Sequence, residues 1–469
     1  MAAQTSPAAA PPRRRAAELG LLLFAALLVV GADAAVDATL NDRVGTDVLG
    51  YGLGFVLIYA VAHVAVRWLA PYADPVILPA VALLNGLGLV LIRRLDLAEA
   101  ENARQAGRAV STGDAGVQVV WTCIGLALFV AVLLVVRDHR ALNRYAYTLA
   151  AAGLAFLALP AVLPGRFSEV NGAKIWIRVA GFSIQPGEFA KLALMVFFAS
   201  YLVAKRDLLS RATRRVVGID LPRGRDLGPV LVAWLLSVLV LAGEKDLGTS
   251  LLFFGIFVVM LYVATERISW LLIGLSLFMV GAYLAYLSFG HVQERVTVWL
   301  HPFEYRDTDG YQIVQSLFGL GTGGLFGTGL GSGRPDNVPF AKTDFIVATV
   351  GEELGLFGLV ALMVVYALVV SRGFRAALTV RDSFGKLLAA GLAFTLAFQV
   401  FIVVGGVTKL IPLTGLTTPF LSYGGSSLVA NFALVALLLR ISDAARRPAP
   451  PKPVPKPALT EAATEVVKR

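Results

Sequence analysis

Side chains able to do chemistry fall in a few separated clusters of this sequence. Lys342-Thr343-Asp344-Phe345 closes a long polar stretch and leads into an apolar run, with Glu352 and Glu353 roughly 12 Å farther on if the run is helical. A carboxylate at the mouth of a helix bundle can take a proton from a polar headgroup. As a helix cap the same residue would contribute only ~0.3–1 kcal/mol, and position alone leaves both roles open for Asp344. Glu352 and Glu353 read better as partners of a Lys or Arg on a neighbouring helix. A second cluster runs from Asn171 and Gly172 through Lys174, Trp176 and Arg178 to Gln185, Pro186, Glu188 and Lys191. Here Lys174 and Arg178 suit a pyrophosphate, Trp176 suits a sugar platform or an interfacial anchor, and Glu188 and Lys191 are spaced for an internal ion pair. A third, Glu244-Lys245-Asp246-Leu247-Gly248-Thr249, reads as a polar hairpin between apolar runs. The last extends from Lys409 and Pro412 to Leu421-Ser422-Tyr423-Gly424-Gly425-Ser426-Ser427, whose small residues favour close helix packing. His63, His139, His291 and His301 are scattered and match no zinc template, and neither a G-x-S-x-G elbow nor a phosphate loop is completed.

The elements that must position these clusters are set by the solvent. In 469 residues, 57% of side chains are apolar and 15% charged, and mean hydropathy is +0.74. Soluble domains carry about a quarter charged residues, so the composition points to a polytopic membrane protein. It excludes collagen-like and disordered chains, and the single Cys123 excludes a disulfide scaffold. Basic residues outnumber acidic ones, 41 to 31, but they sit in short loops and at the ends, which implies membrane orientation and no nucleic acid. A hydrocarbon core of about 30 Å needs about 20 apolar residues per helix. Twelve runs qualify, near 17–34, 50–70, 75–93, 115–136, 145–164, 188–204, 228–243, 248–264, 269–290, 344–371, 385–408 and 419–440. The expected fold is therefore all-α, a polytopic bundle of about twelve transmembrane helices.

Arginine and lysine in the short loops place both termini in the cytoplasm. Arg13 to Arg15, Arg67, the Arg137/Arg140/Arg144 loop, the 205–227 loop with its seven basic residues, and Arg372/Arg375 lie inside. Outside lie the loops 35–49, 94–114, 165–187, 291–343 and 409–418. The first apolar run lacks a convincing cleavage site and reads as a retained helix. The tail beyond Arg440, with Pro448, Pro450, Pro451, Pro453, Pro455 and Pro457, reads as a disordered extension. No internal repeat is visible, which weighs against transporters built from duplicated halves. The 53-residue outer loop 291–343 is too long to be a plain connection. It mixes Trp299, Phe303, Tyr305, Tyr311 and Phe318 with nine glycines from Gly310 to Gly333. Those glycines fit either a backbone that approaches a ligand or a re-entrant turn packed between helices.

In their order, the clusters resemble the SEDS family (shape, elongation, division and sporulation), to which RodA, FtsW and SpoVE belong. The resemblance rests on the Trp176 segment with Gln185-Pro186 and Glu188, Asp246-Leu247-Gly248-Thr249, Gly310-Tyr311-Gln312 with Gln315-Ser316, Thr343-Asp344-Phe345 with Gly351-Glu352-Glu353-Leu354-Gly355, and Pro419-Phe420-Leu421-Ser422-Tyr423-Gly424-Gly425-Ser426-Ser427. It covers roughly residues 75–440 and implies a ten-helix glycosyltransferase domain, preceded by a tail (1–16) and two additional helices (17–74) and followed by the 441–469 tail. It further implies peptidoglycan synthesis by polymerisation of lipid II on the outer face of the cytoplasmic membrane, with inversion at the anomeric carbon and departure of undecaprenyl pyrophosphate. The family's essential aspartate falls on Asp344. Substrate contact is expected of Trp176, Lys174, Arg178, Glu188, Lys191, Arg295, Gln312, Gln315, Ser316, Lys409, Ser422 and Tyr423, and a divalent cation, Mg2+ or Mn2+, could share the pyrophosphate. Ser422-Tyr423-Gly424 and the short tail resemble the elongation branch, and the Ala/Arg-rich composition with two extra helices resembles actinobacterial members. The expected partner is a class B penicillin-binding protein transpeptidase. Two departures stand out: Val338-Pro339-Phe340 lacks the glutamate many members have there, and Gln185-Pro186-Gly187-Glu188 has glycine where serine is usual. The competing activities are lipid II flipping and non-catalytic recruitment of the transpeptidase.

Overall fold

A computed structural model describes residues 15–110, 112–170, 173–179, 182–206, 214–216, 219–221 and 246–448, with positions 228, 231, 232, 234–236, 238, 239 and 243. Its long helices are α1 (Arg15–Asn41), α2 (Asp47–Leu69), α3 (Ile77–Gln105), α4 (Asp114–Val135), α5 (Ala146–Val162), α6 (Pro186–Ala204), α7 (Leu247–Thr265), α8 (Ser269–Ser288), α9 (Gly290–Leu300), α10 (Tyr311–Gly323), α11 (Ile346–Thr379), α12 (Ser383–Val407) and α13 (Gly425–Arg446). Among the described residues ten helices are long and apolar enough to span a membrane, and α5, shorter and carrying Pro160, is a further apolar helix. These account for eleven of the twelve expected runs. The twelfth, 228–243, lies partly outside the described residues, and most of the 205–227 loop, residues 1–14, Asn171, Gly172, Glu244, Lys245 and the tail from 449 lie outside them.

Most differences from the sequence reading occur where backbone hydrogen bonds decide an end. Helix α3 runs on to Gln105, because Asp96 and Glu99 find a cation in Lys342 instead of ending the helix. Helix α13 starts at Gly425, not near 419, since Phe420 takes a left-handed φ of 67° and Thr418 to Tyr423 form turns. The outer segment 165–187 contains short antiparallel pairs, β1 (Glu169–Val170) with β2 (Ala173–Lys174) and β3 (Ile177–Val179) with β4 (Phe182–Ile184). A further hairpin joins Arg214–Val216 to Ile219–Leu221.

Helix α13 is the axis of the bundle, buried along nearly all of its apolar length, and it packs on α3, α4, α6, α11 and α12. Helix α8 is the opposite case: it is almost wholly unburied and presents Leu272, Leu275, Phe278 and Leu284 to the lipid phase.

The presumed loop 291–343 is largely ordered structure: α9, α10 and a glycine-rich segment that returns against α11. Gly355 breaks α11 with φ 65° and ψ −166°. The amides freed by the break donate to the segment, Leu356 N to Gly324 O at 3.0 Å and Phe357 N to Leu325 O at 3.1 Å. In return Thr328 N and Gly329 N donate to the carbonyls of Glu352 and Glu353 at 3.0 and 2.9 Å. Irregular backbone at membrane depth is tolerated only when such groups are paired within protein. Close approach is possible because a Cβ on Gly323 would lie 2.0 Å from Gly351 O and one on Gly327 2.2 Å from Glu353 O. These two glycines therefore serve packing between backbones.

Candidate active site

The site assembles around Asp344 from three directions. Asp344 lies just before α11; the residue at the helix's N-cap position is Phe345, with no side-chain cap, so a capping role does not account for the carboxylate. It is partly buried, beside Gly415 in the α12–α13 connection. Burial raises its pKa to about 6, and the nearby negative charge of Asp246 pushes the same way, against a hydrogen bond with Thr343 and the positive charge of Arg295.

Asp246 is the second carboxylate. It caps α7 by accepting from Thr249 N at 2.9 Å, while Gln185 Nε2 donates to its other oxygen at 3.4 Å. Burial raises its pKa too, opposed by the Thr249 hydrogen bonds. Gln185 is itself fixed, its backbone N–H donating to Ser426 Oγ at 2.9 Å. The third member, Arg295, projects from α9 and donates to Leu413 O at 3.0 Å. It also lines a cavity of about 330 Å³ with Glu294, Trp299, Asp309 and Gln312. One cation is thus shared between Asp344 and a polar cavity of small-molecule size.

Ser422 and Tyr423 lock the walls. Ser422 Oγ donates to Thr343 O at 2.5 Å and accepts from Thr418 N at 2.9 Å, while Tyr423 N donates to Lys342 O at 2.7 Å. Their placement holds the Asp344 turn against α13. Burial and the Asp114 carboxylate push the Tyr423 hydroxyl's pKa up. Lys342, next but one to Asp344 in sequence, is engaged elsewhere: Asp96, Glu99 and Asp114 hold its ammonium at 2.7, 2.6 and 2.9 Å. Burial works against that charge, yet the three carboxylates hold its pKa above the usual range. Among the described residues the cation that acts on Asp344 is Arg295.

The remaining expected contacts divide. Gln312 faces the Arg295 cavity, and Gln315 is partly exposed on the same helix. Ser316 is fully buried and donates to Val407 O at 3.4 Å, tying α10 to α12. Glu188 and Lys191 form a buried ion pair at 2.6 Å, extended by Lys191 to Gln399 at 3.1 Å, and Gln399 holds Thr417 O at 3.0 Å. Lys409 donates to Leu300 O at 3.4 Å, and its carbonyl accepts from Trp299 Nε1 at 3.1 Å, clamping α9 to the end of α12. Lys174 pairs across from Glu169 in the first hairpin, Arg178 is exposed and donates to Glu169 O at 3.4 Å, and Trp176 N donates to Ser168 O at 3.2 Å. Glu353 accepts from Arg94 Nε on α3 at 2.5 Å, the expected basic partner on a neighbouring helix, whereas Glu352 accepts from the backbone N–H of Arg334 at 2.6 Å in place of such a cation. Among the described residues no group of three or more His, Cys, Asp or Glu is placed to hold a metal ion.

Sequence reasoning singled out Asp246 and Arg295 separately but not their convergence on Asp344. That convergence depends on the α12–α13 connection folding between α7 and α9, as a Cβ on Gly248 lying 2.7 Å from Thr414 O shows. No local spacing encodes it.

Comparison with known proteins agrees with the resemblance. The family model FTSW_RODA_SPOVE, described as cell cycle protein, matches residues 75–447. The chain is 55% identical over 458 residues to the peptidoglycan glycosyltransferase RodA of Mycobacterium tuberculosis, covering 98% of this chain and 97% of that one, and equally to that of Mycobacterium leprae. It is 40% identical to stage V sporulation protein E of Bacillus subtilis over 297 residues, 62% of this chain and 77% of the relative. A solved chain described under "Structural coordination of polymerization and crosslinking by a peptidoglycan synthase complex" matches with TM-score 0.54 and 28% identity, covering 84% of this chain and 97% of that chain. With the family model covering residues 75–447 and these relatives over nearly the whole chain, this chain belongs to the FtsW, RodA and SpoVE family.

Proposed function

We infer that this membrane protein is a peptidoglycan glycosyltransferase of the RodA kind, polymerising lipid II into glycan strands for cell elongation and shape. The observation that carries the mechanism is the half-buried Asp344 carboxylate, its pKa raised to about 6 by burial and acted on by the charges of Asp246 and Arg295. A general base performs best when its pKa lies near the working pH, and an ordinary surface aspartate is too acidic.

In this reading Asp344 accepts the proton of the sugar 4-hydroxyl as that oxygen attacks the anomeric carbon of a second lipid II. The configuration inverts, and undecaprenyl pyrophosphate departs. Arg295 meets the negative charge developing on the leaving group, where a preorganised cation is most effective. Gln312 lines the headgroup cavity, and Trp176, Lys174 and Arg178 on the outer hairpins meet the incoming substrate. Ser422 and Tyr423 hold the base in place. The buried pair Glu188–Lys191 fixes the floor beneath Asp246, and Lys409 and Ser316 fix the α9–α10 wall. A divalent cation carried by the pyrophosphate would add to Arg295's charge.

In the same reading the chain lies in the cytoplasmic membrane with both termini inside, residues 75–440 acting as the catalytic domain and α1–α2 as an addition. Its expected partner is a single-pass class B penicillin-binding protein, and the solved relative described as part of a synthase complex supports that pairing. The test in cells is replacement of the endogenous copy by Asp344→Asn. Loss of elongation with unchanged membrane level and unchanged co-purification of the transpeptidase supports catalysis; normal elongation would return the chain to a scaffolding role.

A further inference from the structure

Helices α1 and α2 precede the matched family region, yet they build a cleft with α3 and α4 on the same side of the bundle as Asp344. Arg93, at its polar end, directly precedes Arg94, which holds Glu353 beneath the glycine-rich segment. The cleft encloses about 550 Å³ and is lined by Val29, Phe55, Ile58, Leu89 and Val119 below a polar end made by Asp33, Arg93 and Tyr51. That volume is in the ~300–1,000 Å³ range of small-molecule sites. Leu27, Leu53 and Leu57 on the outer faces of α1 and α2 are exposed, so the cleft borders the lipid phase.

The polar end is unbalanced. Arg93 Nη1 donates to Asp33 Oδ1 at 2.7 Å and Nη2 to Asp37 Oδ1 at 2.9 Å, and its guanidinium stacks 5.4 Å from the Tyr51 ring. Asp37 is completed by Gly45 N at 3.0 Å. Asp33, only 5% exposed, keeps Oδ2 without any hydrogen-bond partner. One guanidinium thus faces two carboxylates, and Asp33, which keeps the unpaired buried oxygen, is one of the residues that line the cleft. A buried carboxylate oxygen left unpaired is costly, and an N–H donor carrying positive charge relieves both deficits.

We propose that this cleft binds a membrane aminophospholipid, one acyl chain lying along the apolar wall and the primary ammonium donating to Asp33 Oδ2. The spare negative charge disfavours lipids with net negative headgroups, and a quaternary ammonium has no N–H to donate, so a phosphatidylethanolamine headgroup satisfies the site where phosphatidylglycerol and phosphatidylcholine do not. The site is separate from the Asp344 chemistry and goes beyond the polymerase reading, whose failure would leave it standing.

The test is native mass spectrometry of the full chain, delipidated in detergent and titrated with dioleoyl phosphatidylethanolamine, phosphatidylcholine or phosphatidylglycerol. Phosphatidylethanolamine is expected to bind at least tenfold more tightly than the other two. Asp33→Asn, which removes the charge while keeping a similar shape, brings it down to the phosphatidylcholine level. Gly54→Leu fills the cleft at a position where a Cβ meets nothing within 4 Å, and so lowers the affinity for phosphatidylethanolamine at least tenfold with an unchanged unfolding temperature. Equal binding of the three lipids, tighter binding of phosphatidylglycerol, or a preference for phosphatidylethanolamine that survives in Asp33→Asn would overturn the proposal.

Discussion

Asp344 owes its basicity to its surroundings. Burial lifts it to about 6, with Asp246 adding to the rise and Arg295 opposing it. The base acts deprotonated, so kcat/KM for lipid II should climb with pH up to about 6 and level off above, read as the acid limb of a pH–rate profile. Asp246→Asn removes a like charge and should move that limb to lower pH; Arg295→Gln removes an opposite charge and should move it to higher pH while also lowering the plateau, since the leaving group loses its cation. A limb that stays in place in both variants would contradict the electrostatic account. Asp344 was visible in the sequence as a carboxylate between an outer loop and an apolar run. Its cation was not legible there, because Lys342, close in sequence, is drawn to Asp96, Glu99 and Asp114.

At the scale of elements, the break in α11 is what gives the outer segment its shape. Gly355 interrupts the helix, and the 323–329 backbone replaces the missing hydrogen bonds. Arg94 pins the arrangement from α3, holding Glu353 at 2.5 Å and Gly333 O at 2.6 Å. Breaking a buried pair by removing one partner costs ~3–5 kcal/mol, because the other charge is stranded. Arg94→Ala should therefore lower the thermal unfolding temperature sharply, and Arg94→Ala with Glu353→Gln should recover part of the loss; equal unfolding temperatures for wild type and Arg94→Ala would remove the pin from the account. The nine glycines announced an unusual backbone in sequence, but whether it met a ligand or a helix depended on the break at Gly355, a single residue inside an otherwise apolar run. Periodicity located the spans well because burial in lipid demands about 20 apolar residues whatever the neighbours. It missed α9 and α10, which have too few apolar residues to span and are held by contacts with distant segments such as Leu413 and Val407.

For the whole molecule, the account requires Asp344 to face outward while the arginine-rich loops face the cytoplasm. Asn337 follows the glycine-rich segment, on the Asp344 side of the bundle, and Cys123 is the only native cysteine. An Asn337→Cys, Cys123→Ser chain in intact cells should react with a membrane-impermeant maleimide added outside; labelling only after the cytoplasmic face is opened would invert the topology and remove the site from its substrate. The central claim is chemical, and its most direct test is polymerisation of purified lipid II by the detergent-solubilised chain with its cognate transpeptidase, crosslinking blocked by a β-lactam. The account predicts long glycan strands from the wild type and a loss of at least a hundredfold in rate for Asp344→Asn, with both proteins folded and bound to the partner. Equal strand synthesis by the two would contradict Asp344 as the base, and no strands from either would contradict the polymerase itself.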